Sequence, residues 1–248
     1  MMLEMTHKVV AFCLRVVRVC PRSGINQLKG LTVDDKPEYW ENYYSSKVHS
    51  GKAMVPSQFC VFVAGEIPEG VSTIVDIGCG DGRDSFFFLS QGYRVVGLDA
   101  SASAVESCRK FLRTVARQHF ARAEFAQVNI DTESGRGLAA MTAESERVIV
   151  YARFFLHAIK DDEEQAFFAS LDSIRHKIAF VAIEFRTDRD AQRAKVTPDH
   201  FRRFIEPNDF VQRAARAGFE VEYSVQGFGM AKFRQDDAHV ARLLLRPA

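Results

Sequence analysis

The sequence predicts an α/β fold: a doubly wound, mainly parallel seven-stranded sheet with an antiparallel last strand and helices on both faces. Three observations predict it. From residue 72 onward, continuous apolar runs of strand length alternate with helix-length runs, as in sheets covered on both faces. The last two strands, FEVEYSVQGFG and HVARLLLR, leave no room for a crossover helix between them, so the sheet closes antiparallel. A glycine turn, VDIGCGDGRDS, joins the first strand to the helix after it, at the edge where such sheets take a ligand.

Residues 1–34 read as an N-terminal extension and residues 35–248 as the domain. In MMLEMTHKVVAFCLRVVRVC the apolar core runs only from Val9 to Leu14 before Arg15 and Arg18 interrupt it. That is too short for a signal peptide or a membrane span, and it reads as an amphipathic helix packed on the domain or a partner, with a frayed extension or a membrane-surface helix as the alternatives. SGINQLKGLTVDDK is loop. KPEYWENYYSSK is helix, with Asp35 as cap, Pro37 in its first turn and a ring cluster of Tyr39, Trp40, Tyr43 and Tyr44. Ser57 opens a second helix that closes before Pro68 and Gly70.

STIVDIG is then a strand, DSFFFLSQG a helix ended by Gly92, and RVVGLD a strand. SAVESCRKFLRTVARQ is a helix capped by Ser101 or Ser103, and AEFAQVNI a strand. ERVIVYARFFLHAI starts as a buried strand and turns irregular. DDEEQAFFASLDSIR is a helix whose first-turn acids suit its dipole, which accounts for them without a metal. KIAFVAIEFR is a strand and PNDFVQRAARAG a helix ended by Gly218.

Composition narrows the function. Hydrophobic residues make up 47% of the 248, enough for a sizeable core. With 33 basic and 32 acidic residues the net charge is +1, which argues against a general nucleic-acid binder and for small molecules or neutral surfaces as partners. The cluster Arg193, Lys195, Arg202, Arg203, Arg213 and Arg216 keeps a nucleic-acid substrate as an alternative, but no RNA-binding or zinc module accompanies it. Five scattered cysteines form no CxxC pair, so no disulfide framework or metal site is expected, and the usage fits a reducing cytoplasm.

The glycine turn speaks to the ligand. Gly78, Gly80 and Gly82 alternate, which lets the backbone turn and keeps Cβ atoms out of a ligand's way. Asp76 ends the strand before the turn, placed to accept from an amine or face a cation. Asp99 ends the next strand, 21 residues past Gly78, where an acid commonly binds the two hydroxyls of a ribose. A nucleoside is therefore expected. A dinucleotide calls for GxGxxG with its pyrophosphate on the helix N-terminus. Here the spacing is GxGxG, and Asp76, Asp81 and Asp84 would repel a pyrophosphate while favouring an ammonium or sulfonium. S-adenosylmethionine fits better than NAD, which leaves an NAD-linked oxidoreductase as the rival class.

With those residues in view, the sequence resembles the class I S-adenosylmethionine-dependent methyltransferases over roughly residues 55–248. VDIGCGDGRDS is similar to their first motif and VVGLDAS to their ribose-binding strand end. The resemblance implies a cofactor set of Asp76, Gly78, Cys79, Gly80, Gly82 and Asp84, then Asp99 and Ala100, Asn129 and Ile130, and Tyr151. Asn129 stands where the family often has an acid, and an amide can still bond the exocyclic amine of adenine. The GRDS, FL and GY run resembles small-molecule enzymes of the tellurite and thiopurine type. YARFFLHAI, AIEFR and HFRRFI are similar to methyltransferases of bacterial surface-polysaccharide assembly. A non-catalytic partner domain of the same fold is the remaining alternative.

On the acceptor side, an in-line displacement needs the acceptor lone pair held about 3 Å from the methyl carbon. An alcohol also needs a base. His157, just past the fourth strand, is the candidate base. Arg153 beside it is the second catalytic candidate, as a guanidinium able to bind a carboxylate or phosphate bidentately. Glu184 and Arg186 follow the fifth strand on the same edge. Tyr39, Tyr43, Arg186, His200 and Arg203 are the candidate acceptor-binding residues, and of the adjacent Arg202 and Arg203 only one is expected to point inward. The reading is methylation, at oxygen, of an anionic small molecule or glycan such as a sugar acid, phosphate or phosphonate.

Overall fold

A computed structural model describes residues 36–46, 55–131, 134–193, 200–233 and 235–248. The N-terminal extension and the Asp35 cap lie outside the described residues. The strands are β1 (Thr73–Ile77), β2 (Arg94–Asp99), β3 (Ala123–Gln127), β4 (Val148–Arg153), β5 (Ile178–Arg186), β6 (Phe219–Gly227) and β7 (Val240–Pro247). They form one sheet in the order β3-β2-β1-β4-β5-β7-β6, in which β7 alone runs antiparallel to its neighbours. The helices are α1 (Lys36–Ser45), α2 (Gln58–Glu66), α3 (Arg83–Ser90), α4 (Ala102–Thr114), α5 (Ser134–Met141), α6 (Asp161–Asp172) and α7 (Pro207–Arg216).

Alternation along the strands splits the core in two. Ile74, Val95 and Ile149 face α2, α3 and α4, where Phe59, Phe88 and Leu89 are fully buried. Val75, Val96 and Val150 face the other side, with Phe167, Phe168 and Phe210 from α6 and α7. The caps follow the sequence: Ser57 takes the Cys60 N–H at 3.0 Å, and Ser101, rather than Ser103, takes the Ala104 N–H at 3.1 Å.

One helix is absent from the sequence reading. SGRGLAAM forms α5, although its two glycines disfavour a helix. A Cβ at Gly135 would come within 3.3 Å of the Ser170 Cα on α6. The residue that hides this helix from propensity is the one that lets it approach its neighbour. Ser134 and Ser170 then bond through their hydroxyls at 2.6 Å.

Chain order reverses between β1 and β4. To one side of β1 the chain adds β2 and β3; to the other side of β4 it adds β5. A crevice opens beyond the strand ends at such a reversal. Gly78 leaves β1 there, and Arg153 ends β4 there.

Candidate active site

The cavity at this crevice has a volume of about 380 Å³, within the usual range of roughly 300–1,000 Å³ for small-molecule sites. Its first half is made by the turn after β1. Gly78, Gly80 and Gly82 all have left-handed φ angles, 72°, 56° and 81°. A Cβ on Gly78 would lie 2.9 Å from the Phe155 ring, and one on Gly80 would strike the Tyr44 hydroxyl. Gly82 turns the other way, toward Phe86 and Cys108, and does not line the cavity.

Asp99 ties this turn to the next. Its Oδ2 accepts the Gly80 N–H at 2.8 Å and its Oδ1 the Ser101 N–H at 2.9 Å. A carboxylate has about four acceptor sites, so capacity for a diol remains. Burial raises its pKa. Asp76 is 3% exposed and accepts from the Ser85 hydroxyl at 2.5 Å. Burial pushes this carboxyl up to about 7, against the opposing Ser85 bond. Asp84 receives the Ser57 N–H, the Ser57 hydroxyl and the Tyr151 hydroxyl, each at 2.7 Å. Asp84 and Tyr151 therefore line the cavity while locking α2, α3 and β4 together.

Ala100, Asn129 and Ile130 line the far end beside Asp99, and Cys79 lines the turn. The roof is α1. Glu41 accepts from the Ser101 hydroxyl at 2.7 Å, the Ser103 N–H at 3.2 Å and the Ser103 hydroxyl, which pins α1 to the N-terminus of α4. These bonds, the Ser103 hydroxyl first, lower the pKa of Glu41. Trp40, Tyr43 and Tyr44 line the cavity from this roof. Tyr39 does not; it stacks on His200 with ring centroids 4.1 Å apart.

The second half is made by side chains. Arg153, Glu184 and Arg242 lie in one row across β4, β5 and β7, because register pairs Arg153 with Glu184 and Glu184 with Arg242. Glu184 is wholly buried and gives one oxygen to each arginine, at 2.8 Å to Arg153 Nε and 2.7 Å to Arg242 Nε. Two residues on, Arg186 is held by Asp190 and Asp236, each at 2.5 Å. Phe154 has a φ of 55°, the one left-handed residue other than glycine among the described residues. Its ring lies under Arg153, at 4.3 Å, and meets His157 edge-on.

His157, Arg153, Arg186, His200 and Tyr43 all line the cavity. Arg203 does not: Asp161 and Glu164 of α6 take its guanidinium, and Arg202 lines the cavity in its place. Phe233 and Asp236 also line it and went unassigned in the sequence reading. A topological signal existed: β6 runs parallel to β5, so the β6–β7 connection must return over the ligand edge. Among the described residues no cluster of side chains suits a metal ion, and no helix is long and apolar enough to cross a membrane.

The residues fit an adenosyl amino acid: a glycine cradle closed to any Cβ, an acid at Asp99 with lone pairs left for a diol, and a buried carboxyl at Asp76 that would suit a cation. The comparisons agree. Residues 75–176 match the family described as a methyltransferase domain. No curated protein is similar to the chain in sequence. Among solved structures, an S-adenosylmethionine-dependent methyltransferase from Anabaena variabilis aligns with a TM-score of 0.62 at 16% identity, covering 86% of this chain and 95% of that one. The glycopeptide N-methyltransferase MtfA, complexed with S-adenosylmethionine, gives 0.59 at 16% identity, over 82% of this chain and 100% of its own. The CcbJ methyltransferase from Streptomyces caelestis gives 0.58 at 14% identity, over 84% and 96%. At these identities the structures speak for the fold, and the family match covers the segment that builds the turn and both of its flanking acids. On that ground residues 75–176 are a methyltransferase domain, and the chain has the fold of S-adenosylmethionine-dependent methyltransferases.

Proposed function

We propose that the chain is an S-adenosylmethionine-dependent methyltransferase acting on a small molecule or glycan that carries an anionic group, and that the methyl group goes to oxygen. The cofactor supplies the methyl on an electrophilic sulfonium. The chain's own part is to hold the anion, keep water out and set the approach. One observation carries the reading. Arg153 has its Nε fixed by Glu184 and its face covered by Phe154, while its two terminal nitrogens have no protein partner among the described residues. A guanidinium fork so held suits a carboxylate, phosphate or phosphonate oxygen pair. One buried Glu184 between two arginines also leaves that wall one positive charge in excess.

The test is a panel of small carboxylic, phosphonic and sugar acids against their amides and alcohols, with labelled cofactor. Acids should be methylated and neutral counterparts should not. For an acid that turns over, Arg153→Ala should raise KM at least tenfold and leave S-adenosylhomocysteine affinity as it was. Neutral acceptors that match the acids would overturn the proposal.

A further inference from the structure

His157 sits in a single helical turn, Leu156–Ala158, directly after β4, and is 4% exposed. Its carbonyl accepts the Arg203 N–H at 2.8 Å, which fixes the backbone. Its Nδ1 faces the backbone N–H of Arg186 at 3.4 Å. That bond is long, but it has one polarity. A backbone N–H only donates, so a proton on Nδ1 would meet it head to head. The neutral ring therefore carries its proton on Nε2. Nε2 has no protein partner among the described residues, and His157 lines the cavity.

The charges around the ring favour the same state. Arg153 faces it from β4, Arg186 from β5, and His200 and Arg202 from the segment before α7. The neighbouring carboxylates are taken: Glu184 by Arg153 and Arg242, Asp190 and Asp236 by Arg186. Burial first, then these cations, holds the ring well below the ordinary histidine value. Such a ring donates a hydrogen bond and does not collect a second proton.

Resting on the acceptor proposed above, we infer that His157 is a neutral Nε2–H donor to the acceptor's anionic group, beside Arg153, and that the methylated oxygen enters already ionised. His157 is then not the base that its position in the sequence suggests. A carboxylate or phosphonate has more than one oxygen: one is held and another attacks. Its lone pair forms the O–CH3 bond while the S–CH3 bond breaks with its electrons left on sulfur. One negative and one positive charge disappear together, and no proton moves.

The experiment is nitrogen-15 NMR of the histidine rings in the full chain, which needs no acceptor. The His157 signal is assigned by its loss in His157→Gln or, if that variant does not fold, by the cross-peak from its ring to the Arg186 amide. The expected result is a proton on Nε2, no titration between pH 5.5 and 8, and a shift of Nε2 on addition of inorganic phosphate. A proton on Nδ1, or a midpoint between pH 6 and 8, would overturn the inference and leave the anionic acceptor standing. A ring in the expected state whose phosphate response survives Arg153→Ala unchanged would count against the anion fork at Arg153 instead.

Discussion

At the end of β1 the cavity wall is backbone: two left-handed glycines, Gly78 and Gly80, with the N–H groups of Gly80 and Ser101 bound by Asp99. At the ends of β4 and β5 it is side chain: Arg153, Arg186 and Asp236, backed by Glu184 and Arg242 and held by ion pairs across as many as 58 positions of sequence. A backbone wall is set by its own sequence and tolerates almost no change of residue type. A side-chain wall is set by register and by charge balance, so it can be retuned, and it fails through an unpaired charge rather than a clash.

The sharpest way to break the second half is Glu184→Ala. It leaves two arginines in a buried row without their shared carboxylate. Losing one partner of a buried ion pair costs roughly 3–5 kcal/mol. Urea denaturation should show a loss of that size, with Glu184→Gln losing less because an amide oxygen still accepts. A fold as stable as the parent would mean that water, not Glu184, compensates these arginines.

In the first half the matching experiment is Asp99→Ala. It removes the carboxylate expected to accept two ribose hydroxyls and frees the N–H groups of Gly80 and Ser101. Calorimetry should show S-adenosylhomocysteine affinity reduced by about 2–4 kcal/mol, roughly 30- to 1,000-fold. Unchanged affinity would take the ribose away from Asp99.

The contrast also explains what the sequence disclosed. Asp76, the alternate glycines and Asp99 sit within 24 positions, and each carries a local physical reason for its place. The Ser57 and Ser101 caps are local in the same way. Helix α5 was hidden because one of its glycines, Gly135, serves contact with α6, which no local pattern records. Arg186 and Asp236 lie 50 positions apart, and only the strand order joins them. Arg203 illustrates the limit best: its placement depends on Asp161 and Glu164, on a helix that sequence spacing does not bring near it.

Asp76 sharpens the comparison through pH. Its carboxyl lies at about 7, raised from 3.8 chiefly by burial. The unfolded chain ionises first, so the empty fold gives up stability as pH climbs from the ordinary carboxylate range through about 7. Cofactor binding has the opposite sign, since its ammonium favours the ionised carboxyl. Between pH 5.5 and 7.5 the affinity for S-adenosylhomocysteine should rise by about tenfold or more. Asp76→Asn should bind more weakly and show a flat profile. An equally steep profile in that variant would assign the pH dependence elsewhere.

Phe154 is where the two modes meet. It is a side-chain residue of the second half in the left-handed backbone state that the first half reserves for glycine. An L-residue there costs of order 1–2 kcal/mol, and it persists only when its surroundings impose it. Here the Phe154 N–H is held by the Glu184 carbonyl at 2.8 Å, and the ring is caught between Arg153 and Arg186. Ala and Gly at this position both delete the ring, so their difference isolates the backbone. Gly relaxes the strain but gains freedom in the unfolded chain, which offsets part of the benefit. Phe154→Gly should therefore be more stable than Phe154→Ala by about 1 kcal/mol in urea denaturation. If Ala equals or exceeds Gly, the backbone there is not strained, and the second half would owe its shape to side chains alone.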